Sequence, residues 1–162
     1  MIVKEFVGYF RMAKDKKVEC EKRVKKNYFH ILTKIAECSH LVDITSRIKD
    51  ETTGIESFQL NTPGRYIAFT MKLISLYTDI EIGNGLELYE NFDELNENGA
   101  IDILLSCIPE HEYKEFSTLL SMTVDDYMAN ERDLTAYLDR KMNDLMMTSL
   151  LNAKAEEGET DG

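Results

Sequence analysis

The sequence predicts a mainly α-helical protein: a multi-helix single domain over residues 1–151, built around one central buried helix. A small β-hairpin or three-stranded element and a disordered acidic tail at 152–162 complete the expectation. Three observations lead there. The stretch from Thr62 to Tyr77 is apolar on nearly every side. The segments before and after it repeat apolar residues at helical spacing, with only two prolines in 162 residues. Only residues 45–60 change to a turn-prone, strand-like pattern.

The central helix is placed at 63–77. Thr62 is a plausible N-cap and Pro63 suits the first turn, where its missing N–H costs nothing. Tyr66, Ile67, Phe69, Met71, Leu73, Ile74, Leu76 and Tyr77 leave Arg65 and Lys72 as its only charges. A helix apolar all round belongs inside a globule, here as a rod of roughly 22 Å. A chain of this length can bury about 70% of its unfolded surface, enough for a real core.

In chain order, Ile2, Phe6, Tyr9 and Phe10 set a short amphipathic helix over 2–13, with Gly8 a mild weakness in it. Residues 14–26 interleave Lys/Arg with Glu and hold only Val18, Cys20 and Val24 as apolar groups. The pairs Glu19–Arg23 and Glu21–Lys25 favour an exposed helix, and Lys22–Lys26 opposes it. Tyr28, Ile31, Leu32, Ile35, Leu41, Val42 and Ile44 place a further helix over 28–44. Ile48 and then Ile55, Phe58 and Leu60 flank the turn-prone 50–54, predicting two short strands, with 79–82 a candidate third. Because a lone hairpin is marginal, it must pack on helices or recruit that strand, and its edge offers one way to bind a partner.

Past Gly85 the helices turn acidic. One runs from Leu86 to a left-handed stop at Asn98-Gly99, and a short apolar one from Ala100 to Ile108 is closed by Pro109. The next sets Tyr113, Phe116, Leu119 and Leu120 on one stripe. Thr123-Val-Asp-Asp126 resembles a capping box for the last helix, where Tyr127, Met128, Leu134, Leu138, Met142, Leu145 and Met146 recur near heptad spacing.

Charge divides the chain. Residues 1–50 carry a net +5 and residues 51–162 a net −16, within a total of −11. The whole would be repelled by phosphate, which argues against direct nucleic-acid binding. The basic helix near the start lacks the aromatic interleaving and recognition motif of a nucleic-acid module and is expected to be a solvated face. Acidic surplus first serves solubility, and unlike-charged ends also permit self-association or a basic partner. No apolar run reaches the ~18 residues of a membrane span, and the opening residues lack a cleavage-site pattern. Three widely spaced cysteines suit reduced thiols. A cytoplasmic protein is the expectation.

Little in the chain points to chemistry. Cys20, His30, Cys38 and His40 lack the paired spacing of a zinc site. His111-Glu112 lacks a second histidine at i+4, where Glu115 stands. Glu110, Glu112, Asp125, Asp126 and Asp133 suggest a carboxylate cluster for metal or acid–base work, but their spacing places several of them in first turns, where carboxylates complement the helix dipole. No P-loop, nucleophile elbow, dinucleotide fingerprint or calcium loop is present. The expectation is a non-enzyme without metal or other cofactor. Met122, Met128, Met142, Met146 and Met147 crowd the C-terminal helices, either as core filler or as an adaptable groove for apolar helices.

The order Arg65-Tyr66, Leu73-Ile74, Tyr77-Thr-Asp-Ile80, Ile108-Pro109, Glu112-Tyr113, Phe116, Asp125-Asp126 and Asn130 resembles small acidic accessory proteins of tailed bacteriophages, nearest in style to tail assembly chaperones. It covers roughly residues 63–138 and holds no diagnostic motif. The resemblance implies a protein that keeps a helical tail component, such as the tape-measure protein, soluble during assembly. The partner-binding candidates are then Tyr113, Phe116, Met122, Met128, Leu134, Leu138, Met142 and Met146. The competing expectation, from the acidic balance of 51–162, is an inhibitor that presents carboxylates where a nucleic-acid-binding enzyme expects phosphates.

Overall fold

Val3, Phe6, Val7 and Phe10 are the buried face of the first helix, α1 (Val3–Met12). The spacing i, i+3, i+4, i+7 is that of one helical stripe. It is rotated from the expected one: Tyr9 and Met12 face outward, and Ile2, half-exposed, lies before the helix and bridges to Glu81. The computed structural model describes residues 1–49, 56–58, 61–130, 138 and 142. Two units are distinguished, Met1–Thr123 and Val124–Gly162.

The basic segment forms only six helical residues, α2 (Lys16–Glu21), with the Asp15 carboxylate accepting from the amides of Lys17 and Val18. The expected helix to 26 stops because the chain turns inward. The amides of Lys25 and Lys26 donate to the Tyr77 carbonyl, and Val24 bridges to Thr78. Of the expected pairs only Glu19–Arg23 forms, at 3.0 Å. Lys22 and Arg23 share Glu19, which is buried rather than solvated.

Helix α3 spans Ile31–Ser46 and α4 spans Thr62–Tyr77. The N-cap of α4 is Asn61 rather than Thr62: its side chain accepts from the amide of Gly64 at 2.9 Å. The amide cap lies so close over Gly64 that a β-carbon there would stand 2.3 Å from the Asn61 Nδ2. Replacing Asn61 with alanine is expected to cost about 1 kcal/mol, checked by the shift in urea midpoint. Ala68, Phe69, Met71, Leu73, Ile74 and Tyr77 are buried, as the central-helix reading requires, whereas Tyr66 is 60% exposed. Both charges of α4 tie it to α3. Arg65 donates to the hydroxyls of Thr45 and Ser46, and Lys72 pairs with Glu37 at 2.9 Å.

Between α3 and α4, β1 (Arg47–Lys49) and β2 (Glu56–Phe58) pair antiparallel, Arg47 opposite Phe58. The expected turn at 50–54 lies outside the described residues. The candidate third strand does not join this pair. Residues 78–81 are instead stitched between the start of the chain and residues 23–25: the Glu81 amide donates to the Met1 carbonyl at 2.8 Å and the Asp79 amide to the Arg23 carbonyl at 3.1 Å. These isolated bridges satisfy backbone that would otherwise be orphaned inside the fold. The protein is mainly helical, and its described strands amount to one three-residue pair.

Helix α5 (Leu86–Glu97) ends where expected, and Gly99, at φ 64°, takes the left-handed conformation that starts α6 (Ala100–Ser106). Gly99→Ala is expected to cost about 1–2 kcal/mol, the strain of an L side chain in the left-handed region, read in the same unfolding assay. α1 packs on α2 and α5, α4 on α3, α5 and α6, and α6 on α2 and α5. Phe6, Phe10, Met71, Ile74, Leu95, Ile101 and Leu104 meet in that core.

A seventh helix, α7, occupies residues 110–123 of the first unit, and residues 124–130 of the second unit are helical too. Thr123 is therefore no N-cap, and its hydroxyl donates to the Leu119 carbonyl at 2.8 Å. None of residues 121–130 is buried. Residues 152–162 lie outside the described residues. No helix among the described residues is long and apolar enough to cross a membrane.

Candidate functional site

A buried gathering of titratable groups lies where α3, α4 and α7 meet. Glu112, in the first turn of α7, is fully buried, as is Lys34 of α3. The Lys34 Nζ stands 2.7 Å from the Glu112 Oε1 and also contacts Glu115. The other Glu112 oxygen accepts the Phe29 amide at 3.0 Å and the Tyr77 hydroxyl. One carboxylate thus collects a lysine, a phenol and a backbone amide from sequence-distant segments.

Aromatic rings enclose this cluster. The Lys34 ammonium lies 5.0 Å from the Tyr28 ring centroid and 5.8 Å from that of Phe116. The Tyr77 ring meets Phe29 and Phe116 edge-on, at 5.0 and 6.4 Å. Ring faces are acceptable neighbours for a desolvated cation.

Burial alone would lift the Glu112 carboxyl, but the hydrogen bonds from Lys34, Tyr77 and Phe29, with the lysine's charge, hold it below the usual carboxylate range. Burial likewise acts to lower the Lys34 ammonium, and Glu112 and Glu115 outweigh it, leaving it above the ordinary lysine value. Burial and the adjacent carboxylate both push the Tyr77 phenol up. At neutral pH these shifts favour a protonated amine, an ionised carboxylate and a neutral phenol. The arrangement holds charge in place and leaves no amine lone pair for nucleophilic attack.

A depressed carboxyl contributes stability that is present above the unfolded carboxyl value, near 4.3, and lost as pH falls through the folded value. A raised ammonium contributes stability present below the unfolded lysine value, near 10.4, and lost as pH rises through the folded one. The contribution of the cluster should therefore be flat through neutrality and fall at both extremes. The stability gap between the protein and Glu112→Gln, measured by urea unfolding across pH, is expected to narrow in acid.

The sequence reasoning missed this cluster. In the sequence Glu112 reads as a carboxylate complementing a helix dipole, and Lys34 sits among residues whose apolar pattern hides it. The buried face of α3 is Lys34, Cys38, Leu41, Val42 and Thr45, while Leu32 and Ile44 are more than half exposed. A signal was present in Lys34 and Cys38, which sit one turn apart in line with Leu41 and Thr45.

The expected partner-binding residues divide. Phe116 is 1% exposed and belongs to the core, because it fills the space beside Tyr77 and Lys34. Tyr113 and Met122 are exposed, and Met128 is partly exposed. In the second unit, Leu138 and Met142 are both helical and 51% and 63% exposed. Leu134 and Met146 lie outside the described residues.

Among the described residues no three His, Cys, Asp or Glu side chains are grouped to hold a metal ion. Cys20 and Cys38 are buried free thiols, pushed up by burial to about 12 and about 11 respectively. Such thiols are poor nucleophiles at neutral pH. No family model matches the chain, and no curated protein or solved structure shows similarity to it.

Proposed function

We propose that this chain is a non-enzymatic accessory protein that binds an apolar helical client and keeps it in solution. The observation that carries the reading is the pair Leu138 and Met142. Both are helical, each leaves more than half its surface uncovered, and their i, i+4 spacing in the sequence is that of one helical face. Large apolar side chains exposed in register are a contact surface, and methionine repacks readily against varied partners. The acidic balance of residues 51–162, net −16, would keep a complex dispersed.

The buried titratable cluster supports the same reading from the other side. Lys34, Glu112 and Tyr77 are sealed in the core, and the lysine and the phenol are each bonded to the Glu112 carboxylate. Following the resemblance to phage tail assembly chaperones, the client would be a helical tail component such as the tape-measure protein, met in the host cytoplasm. Coexpression tests this. Truncating residues 123–151 and the pair Leu138→Glu with Met142→Glu should each abolish recovery of soluble client, while removing 152–162 should not. Full recovery with a 1–122 fragment would overturn the reading.

The acidic surplus also carries a second reading, an inhibitor that occupies the phosphate track of a nucleic-acid-binding enzyme. Partner binding that weakens steeply with salt and is displaced by DNA or RNA would favour it. Salt-tolerant capture of a helical protein would favour the first.

A further inference from the structure

A slot of about 390 Å³ opens between α6 and the start of α7, lined by Asp102, Leu105, Ser106, Ile108, Glu110 and Tyr113. Its volume falls in the range of preformed binding pockets. Leu105 and the nearly buried Ile108 form its apolar floor. Tyr113, whose ring centroid lies 6.2 Å from that of Phe69, supplies a wall held by the core. Asp102 and Glu110, both exposed, form its rim.

The rim chooses the occupant. The Ser106 hydroxyl is already spent on the Ile103 carbonyl at 2.7 Å. Glu110 shares its charge with Lys114 at 2.6 Å. Asp102 has no ion pair among the described residues and faces solvent. An apolar floor beneath one unpaired and one partly paired carboxylate complements an apolar side chain flanked by cations.

We infer that this slot is an anchor for an amphipathic helix whose apolar ridge is bordered by Lys or Arg. The inference rests on the helical-client reading and names the client's chemistry: a leucine, methionine or phenylalanine seated on Leu105 and Ile108 against the Tyr113 ring, with a neighbouring basic residue meeting Asp102. A helix brings both groups together because residues three and four apart share a face. The partly exposed Tyr113 then has a reason to stand at a surface while braced from behind, as interface aromatics do.

The test uses the full chain and a labelled, roughly 18-residue helical peptide of leucine and lysine, about five turns long, beside a scrambled peptide of the same composition. Backbone amide signals are followed during titration. The expected result is binding that shifts signals at 102–113 and is weakened about tenfold, the loss of one ionic or packed anchor, by Asp102→Lys and by Leu105→Glu. Asp102→Lys acts at an exposed position, so it reads binding even if Leu105→Glu unfolds the protein. Glu90→Lys, an exposed charge reversal elsewhere, should weaken binding less than Asp102→Lys. Equal loss with Glu90→Lys and Asp102→Lys, or equal binding of the scrambled peptide, would overturn the slot in favour of attraction by net charge alone. Binding lost only with Leu138→Glu and Met142→Glu would overturn the slot and leave the client reading standing. Absence of any binding would overturn both.

Discussion

Glu112→Ala is expected to destabilise the protein by about 3–5 kcal/mol, the cost of stripping one partner from a buried ion pair. The residue left behind is a fully buried ammonium, still in contact with Glu115 but deprived of its best acceptor. The Phe29 amide and the Tyr77 hydroxyl lose their acceptor in the same step. A single domain has about 5–15 kcal/mol in all, so the variant should sit near the edge of folding. Urea unfolding followed by far-ultraviolet dichroism and tyrosine fluorescence measures the loss, the chain having eight tyrosines and no tryptophan. A change below about 1 kcal/mol, the scale of a surface pair, would show that the cluster is not sealed from water. The double variant Lys34→Met with Glu112→Leu should recover much of the loss, since apolar replacement of a buried pair is often neutral or better.

Phe6→Ala is expected to cost about 3–5 kcal/mol, the usual range for emptying a buried aromatic site. Phe6 is 0% exposed and its ring centroid lies 5.7 Å from that of Phe10, in the same core as Leu95 and Leu104. The prediction separates two views of the N-terminal helix. As a part of the core, α1 must fail cooperatively with the rest, lowering one common transition. As an appended arm it would fray alone, and amide exchange in α1 would rise with little change in the main midpoint. The first outcome is expected, because α1 packs on both α2 and α5.

The helical class and the central helix were legible because α4 has few polar residues to hide its burial. Asn98-Gly99 was legible for another reason: a left-handed turn has few residue solutions. The phase of α1 was not. Ile2, Phe6, Val7, Tyr9, Phe10 and Met12 offer more apolar groups than one stripe can bury, so tertiary packing makes the choice. The fate of residues 22–26 was also hidden, since local charge pairing favoured a helix while long-range bonds to Tyr77 and Asp79 bent the chain inward. Of the client-facing candidates, Tyr113 and Phe116 shared one sequence stripe. Only the packing of Tyr77 and Lys34 separates the exposed ring from the buried one.

The Lys34–Glu112 contact spans 78 positions of sequence, which gives it a consequence for rates. It cannot close until α3 and α7 are both docked on α4, and the loop entropy of that closure must be met first. Its energy should thus be absent at the folding barrier and present only beyond it. Removing it would speed unfolding while leaving refolding nearly unchanged. The clasp would act as a brake on opening, lengthening the life of the folded protein more than it hastens its birth.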